Sequence, residues 1–231
     1  MLETSSMDGV FPAQEQIKTT TYKQQAYELI KSAILYQKLK PDAIYSQESI
    51  CQALNISRTP VREALLELQK EGYILFYRGK GIQIVSLDEQ AIHDILEMRI
   101  YQETAAAELA GKRATPEDLA YIGERLEEHR RSLDSQDIDR CYRLDHQFHR
   151  AIARAAHNDF LYRTIDDVLD HYLCFEALSI YKSYIGANAI WEEHSVLYNA
   201  LREHDPEKAR RVAEVHLQNA YERTLGKYWK K

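Results

Sequence analysis

Apolar residues recur three and four positions apart along most of the chain, a spacing that predicts a mainly helical protein. Ala26, Leu29, Ile30, Ala33 and Ile34 mark a first helix between Tyr22 and Tyr36. Ile50, Ala53 and Leu54 mark a short second helix behind Ser46, whose hydroxyl suits an N-cap. Val61, Ala64, Leu65 and Leu68 mark a third, entered through Ser57-Arg58-Thr59-Pro60 and stopped by Gly72. Pro60 is tolerated in a first turn, with Ser57 or Thr59 placed to cap the free amides. Asn55-Ile56 turns a tight corner between the second and third helices, which is helix-turn-helix spacing. The period then changes: Tyr73 to Tyr77 and Ile82 to Val85 are short β-rich runs joined by Arg78-Gly79-Lys80-Gly81, a hairpin that Ile44-Tyr45 could extend.

Beyond Val85 the β-branched runs disappear, and the chain from Asp88 onward reads as helix in about six segments. Their starts are expected at Ser86 or Asp88, Thr115-Pro116-Glu117-Asp118, Asp137 or its neighbours, Asp159, Asn188 and Asp205-Pro206-Glu207. The expected architecture is therefore mainly α: a flexible tail over 1–20, a winged helix-turn-helix over 21–86, and an all-α helical bundle over 87–231.

Charge divides along the same line. The chain carries a net charge of -6, yet residues 18–80 hold ten lysines and arginines against six acids, while 81–231 hold twenty against twenty-seven. Only the first part attracts DNA electrostatically. Cys51, Cys141 and Cys174 are far apart with no Cys-x-x-Cys spacing, so neither a disulfide framework nor a zinc knuckle is expected. No apolar run reaches the roughly 18 residues of a membrane span, and the first twenty residues do not read as a signal peptide. A cytoplasmic protein with no membrane partner is the expectation.

Two neighbourhoods carry chemistry. The polar face of the third helix begins with Arg58, Thr59 and Arg62, and an arginine at a helix end can pair with the O6 and N7 of guanine in the major groove. The basic hairpin tip, Arg78-Gly79-Lys80, can reach phosphates or a minor groove. In the bundle, Asp145 and His149 share a stripe with Cys141, Phe148, Ile152 and Ala156; His194 lies on a stripe with Ile190, Leu197 and Leu201, and His216 on one with Ala209, Val212 and Ala220. Three imidazoles and one carboxylate thus occupy inward positions where apolar residues are expected, and each needs a partner. A shared divalent ion would satisfy all four, zinc first, with nickel, manganese or iron as alternatives. Separate hydrogen bonds to each histidine would do so as well. Arg99 falls on the stripe Ile92, Ile95, Leu96, Arg99, Glu103, Ala106 and Ala110, where it can pair with Glu103 one turn on or fork onto a ligand carboxylate.

The run Ser57-Arg58-Thr59-Pro60-Val61-Arg62-Glu63-Ala64-Leu65, with Gly72-Tyr73 and the hairpin after it, resembles the winged helix-turn-helix of the GntR family of bacterial transcription regulators. Leu144-Asp145-His146-Gln147-Phe148-His149, Glu193-His194 and Val215-His216-Leu217 resemble the ligand motif of the FCD effector domain found in the FadR subfamily. The first resemblance implies that Arg58 and Arg62 grip the operator, Thr59 contacts the backbone, and Arg78 to Lys80 enter the minor groove. Some relatives place an arginine where this chain has Glu48, so no DNA contact is carried over to Glu48. The second implies Asp145, His149, His194 and His216 as metal ligands, and favours Arg99 as an effector contact. Together they imply a homodimeric, ligand-responsive regulator, most often a repressor, that binds a double-stranded DNA operator and a small carboxylate effector. A regulator that senses the metal itself is the alternative. A metalloenzyme fused to a DNA-binding module is disfavoured, because no glutamate stands by the histidines in the His-Glu-x-x-His arrangement of a hydrolytic base.

Overall fold

The computed structural model describes residues 21–134, 138–175 and 184–228. The expected tail over 1–20 and the expected helix start at Asp137 lie outside the described residues. Two compact units emerge, the first running to Ile34 and again over Lys38–Val85, the second taking Leu35–Gln37 and the chain from Ser86 onward.

The first unit contains α1 (Tyr22–Leu35), β1 (Ile44–Tyr45), α2 (Gln47–Leu54), α3 (Arg58–Lys70), β2 (Ile74–Tyr77) and β3 (Gly81–Ile84). Its core forms where Ala26, Ile30 and Ile34 of α1 and Val61, Ala64, Leu65 and Leu68 of α3 are buried with Tyr73, Ile74, Ile82 and Ile84. Two expected core positions fall elsewhere. Leu29 is 58% exposed, and in α2 Cys51 is buried with Ile50 while Ala53 faces out, so the apolar stripe of that short helix keeps Ile50 and is turned towards Cys51 by less than a quarter turn. Ser46 caps α2 as expected, its hydroxyl accepting from the Ser49 amide at 3.0 Å. Asn55 makes the corner in a left-handed conformation, φ 53°, and its amide donates to the carbonyls at the end of α2. Ser57 is the N-cap residue of α3, without a side-chain cap bond.

The sheet order is β1-β3-β2, antiparallel throughout. Tyr77 pairs with Gly81, so the hairpin tip is the three residues Arg78, Gly79 and Lys80, and Gly81 already belongs to a strand. Gly81 has φ +114°, and a Cβ there would stand 2.2 Å from the Tyr45 carbonyl oxygen. β1 can lie this close only against a residue without a side chain.

Among the described residues the second unit holds six helices: α4 (Glu89–Arg113), α5 (Pro116–Asp134), α6 (Ile138–Ala155), α7 (Asp159–Phe175), α8 (Tyr184–Arg202) and α9 (Pro206–Tyr228). Asp88 and Asp205 cap α4 and α9 through their carboxylates, and Thr115 with Asp118 forms a reciprocal capping box on α5. The start expected at Asn188 is corrected: α8 is already helical at Tyr184, and Asn188 sits inside it, donating to Glu192 one turn on at 2.8 Å. The capping preference of asparagine is overridden by a side-chain pair that only an existing helix can form. α4 packs on α6, α7 and α9, and α5 packs on α6 and α8. Small residues allow the close approach: a Cβ on Gly111 would lie 2.9 Å from the Pro206 Cα at the head of α9. Among the described residues no helix is long and apolar enough to cross a membrane.

Gly81→Ala should lower the thermal midpoint more than Gly79→Ala. Both replace a glycine at positive φ, a change that costs upwards of about 1 kcal/mol, but only the first meets a backbone atom; nothing stands within 4 Å of the Gly79 position. Equal shifts in parallel melts would remove the β1 contact as the reason for a glycine at 81.

Candidate nucleic-acid interface and metal centre

In the first unit the expected DNA-facing residues are all exposed: Arg58, Thr59 and Arg62 on α3, and Arg78, Gly79 and Lys80 at the hairpin tip. Arg62 and the whole tip line one concavity of about 540 Å³ with Ser46, Gln47, Phe76 and Tyr77, which brings helix and wing onto a common surface. Arg58 and Thr59 do not line it. Instead the Arg58 guanidinium forms an ion pair with Glu48 of α2, and its backbone carbonyl accepts from Gln47 at 3.2 Å. The acid whose charge would repel phosphate therefore sits against the first arginine of α3.

In the second unit, periodicity delivers the four expected donors to the interior: Asp145 is 6%, His149 4%, His194 0% and His216 3% exposed. α6 supplies Asp145 and His149, α8 supplies His194 and α9 supplies His216. The Nε2 atoms of His194 and His216 are 3.2 Å apart, those of His216 and His149 3.4 Å, and His194 Nε2 lies 3.4 Å from Asp145 Oδ1. Phe148 stacks on the His194 ring with centroids 4.4 Å apart, holding its plane.

Carboxylates fix the tautomers. Glu103 of α4 lies 2.5 Å from His149 Nδ1, and Glu193 of α8 lies 2.7 Å from His216 Nδ1. Burial alone would favour the acid form of Glu103, but Arg99 and His149 outweigh it and hold the carboxyl far below its ordinary range. Burial also opposes the charge on Glu193, and the bonds from His216 and Arg223 reverse it, bringing the carboxyl down to about 2. Both acids are therefore ionised and can only accept, so each Nδ1 must be the donor. In the neutral imidazoles the Nε2 atoms of His149 and His216 then carry lone pairs, and these face each other at 3.4 Å. Burial lowers the pKa of His216, and burial together with the surrounding imidazoles lowers that of His194 strongly, so protons are poorly suited to fill the space between them. His194 Nδ1 is itself buried without a hydrogen-bond partner among the described residues. A divalent cation fits this donor set: neutral imidazole nitrogens aimed at one another, with their opposite nitrogens held by carboxylates.

Arg99 is 3% exposed, and its Nε donates to Glu103 Oε1 at 2.7 Å, with the guanidinium 4.2 Å over the Tyr172 ring. Burial would depress its pKa, but Glu103 drives it further above the ordinary arginine value. The intrahelical pair anticipated for Arg99 is thus present, and its Glu103 also orients His149. Glu193 is equally shared, accepting from Arg223 at 2.8 and 2.9 Å and from Asn219 at 3.0 Å. A small cavity of about 10 Å³, enough for one water, lies between Glu103, His149 and His216 and a wall of Ala106, Ala107, Ala153 and Ala213.

Sequence reasoning missed the roles of Glu193 and Arg223 and passed over His129, which is 0% exposed on α5. Its signal was present: Ile122, Leu126, His129 and Leu133 form an inward stripe of the same kind that revealed the other three histidines. His146 is buried as well, with its ring 4.8 Å from that of Tyr142 and 5.8 Å from that of Tyr172.

The profile described as FCD domain matches residues 94–219, and that described as bacterial regulatory proteins, gntR family, matches residues 22–84. The HTH-type transcriptional regulator YdhC of Bacillus subtilis (strain 168) is 27% identical over 200 residues, covering 86% of this chain and 89% of its own. The HTH-type transcriptional repressor RspR of Escherichia coli (strain K12) is 23% identical over 209 residues, covering 88% and 89%. Among solved structures, E. coli McbR/YncC superimposes with a TM-score of 0.80 at 22% identity, over 91% of this chain and all of that one, which bears on the fold.

The Glu193 carboxyl supplies stability that is complete above its unfolded value of 4.5 and is lost as the pH falls towards about 2. Glu193→Gln in metal-free protein should therefore cost roughly 1–3 kcal/mol at neutral pH and flatten the acid limb of the stability curve. Denaturant unfolding between pH 7 and pH 2.5 measures both, and an unchanged acid limb would show that Glu193 is not the group responsible.

Proposed function

The chain belongs to the FCD-domain family of gntR-type bacterial transcriptional regulators, and from that premise we propose that it is a homodimeric repressor whose helical domain holds a divalent metal ion and answers to a small organic acid. It is a DNA-binding regulator with an effector-binding domain; the matched families are regulators and not enzymes. The observation that carries the finer reading is the pair of carboxylate-locked imidazoles, His149 and His216, with their Nε2 lone pairs opposed. Asp145, His149, His194 and His216 would be the ligands, with zinc first and nickel, manganese or iron as alternatives. When bound, the ion would supply a Lewis-acidic anchor for a carboxylate.

The chain's own residues define the response. Glu103 and Glu193 engage the Nδ1 atoms and so leave the Nε2 atoms aimed inward. Arg99, whose Nε is taken by Glu103, offers its terminal nitrogens to a carboxylate. The cavity between Glu103, His149 and His216 has room for a water and no more, and a wider one of about 320 Å³ opens between α8 and α9 against Glu193 and His216, so an organic acid reaches the imidazoles as these helices give way. That requirement couples occupancy to conformation: the effector shifts DNA affinity by as much as it prefers the opened arrangement. On DNA, Arg58, Thr59 and Arg62 would meet the major groove and Arg78, Gly79 and Lys80 the adjacent minor groove or its phosphates. A dimer doubles a contact set that is too small alone for useful specificity. The same water-sized cavity also favours a second reading, in which the metal is the signal. Equilibrium dialysis separates the two, since an ion that stays bound and leaves operator affinity unchanged is a cofactor.

Arg62→Ala should weaken binding to an operator selected from random DNA by about 1–3 kcal/mol, measured by titration at fixed salt; unchanged affinity removes Arg62 from the reader. His194→Ala should lose most of the bound metal while leaving unliganded DNA binding intact, and metal content equal to the parent chain would overturn the ligand set.

A further inference from the structure

The five buried donors form two overlapping triads. His149, His194 and His216 can bring one ligand atom each within 4.8 Å of one another, and so can His129, Asp145 and His194. Asp145, the one carboxylate of the expected ligand set, therefore falls in the group that contains His129. His194 is common to both, and its Nε2 already lies 3.2 Å from the nearest nitrogen of the first triad and 3.4 Å from Asp145 Oδ1 of the second. With donor–metal distances of roughly 2.0–2.2 Å, two ligands of one ion stand no more than about 4.4 Å apart. An ion drawn onto Asp145 is therefore drawn towards His129, and because His194 Nε2 lies 3.2 Å from His216 Nε2 and 3.4 Å from Asp145 Oδ1, an ion on that nitrogen faces donors of both triads.

Resting on the metal reading above, we propose that His129 is a fifth protein donor, so that metal loading ties α5 to α6, α8 and α9. α5 packs directly on α6 and α8, and His129 stands with its ring centroid 5.6 Å from that of His194. The backbone around it is anchored too, since the His129 carbonyl accepts from the Ser132 hydroxyl at 2.7 Å. The result is an oxygen-and-nitrogen shell richer than the tetrahedral zinc pattern. Such a shell admits five- or six-coordinate geometry and ions that prefer it, such as manganese, nickel and iron.

The test uses the full chain, stripped of metal and reloaded with cobalt(II) or zinc. Competition against a chromophoric chelator gives Kd, the visible cobalt bands report coordination number, and ¹⁵N-imidazole spectra show which rings bind zinc. His129→Gln is expected to bind one cobalt per chain with at least about tenfold weaker Kd and more intense visible bands, as befits a lower coordination number. In the parent chain zinc should shift four imidazoles to metal-bound values, one of them absent from the variant. A variant with the parent's Kd and spectrum, or a parent chain with only three shifted imidazoles, overturns the role of His129 while leaving the metal reading in place. Failure of the parent chain to take up cobalt or zinc overturns the metal reading itself. Should His129→Gln not fold, the count of shifted imidazoles in the parent chain decides.

Discussion

Two carboxylates facing two imidazoles govern the helical half of this protein. Glu103 and Glu193 each hold one Nδ1 proton, which turns the opposite nitrogens of His149 and His216 towards a common centre. Neutral rings arranged this way repel through their lone pairs, and burial opposes the extra proton that would relieve them. The fold tolerates the arrangement because both carboxylates are held by arginines, Arg99 for one and Arg223 for the other. Four helices contribute to this network. The interior of the bundle is thus specified by charge and hydrogen bonding as much as by the alanine and leucine surfaces around it.

The same logic of paired charge appears on the DNA-binding half with a different outcome. Arg58 and Arg62 lie on one face of α3, yet only Arg62 shares a concavity with the wing, and Arg58 is paired with Glu48. Both Arg58 and Glu48 are more than half exposed, so solvent screens the pair and a phosphate or a guanine edge can compete for the arginine. Glu48 thus gives Arg58 an orientation in the free protein at little energetic cost to its release.

Local pattern made much of this legible. Helical spacing located α1, α3, α4 and α9 and put Asp145, His149, His194 and His216 inside, because a polar residue on an apolar stripe stands out within a single helix. The short α2 misled, since eight residues give too few turns to choose between Cys51 and Ala53 as the inward position. The pairings Glu103 with His149 and Glu193 with His216 were not legible, because they join separate helices and no spacing rule relates them. His129 sits in a stripe of the same form, with Ile122, Leu126 and Leu133, so its burial was legible, whereas its nearness to His194 joins separate helices and was not.

The donors are sealed: His129 and His194 are fully buried, and His149, His216 and Asp145 nearly so. The cavity between Glu103, His149 and His216 holds about one water. Any ion held there can leave only when the bundle opens locally, so its exchange is timed by the protein's breathing and not by its affinity. Exchange of such an ion would then report how often the four helices part, a motion that the surface of the bundle does not reveal.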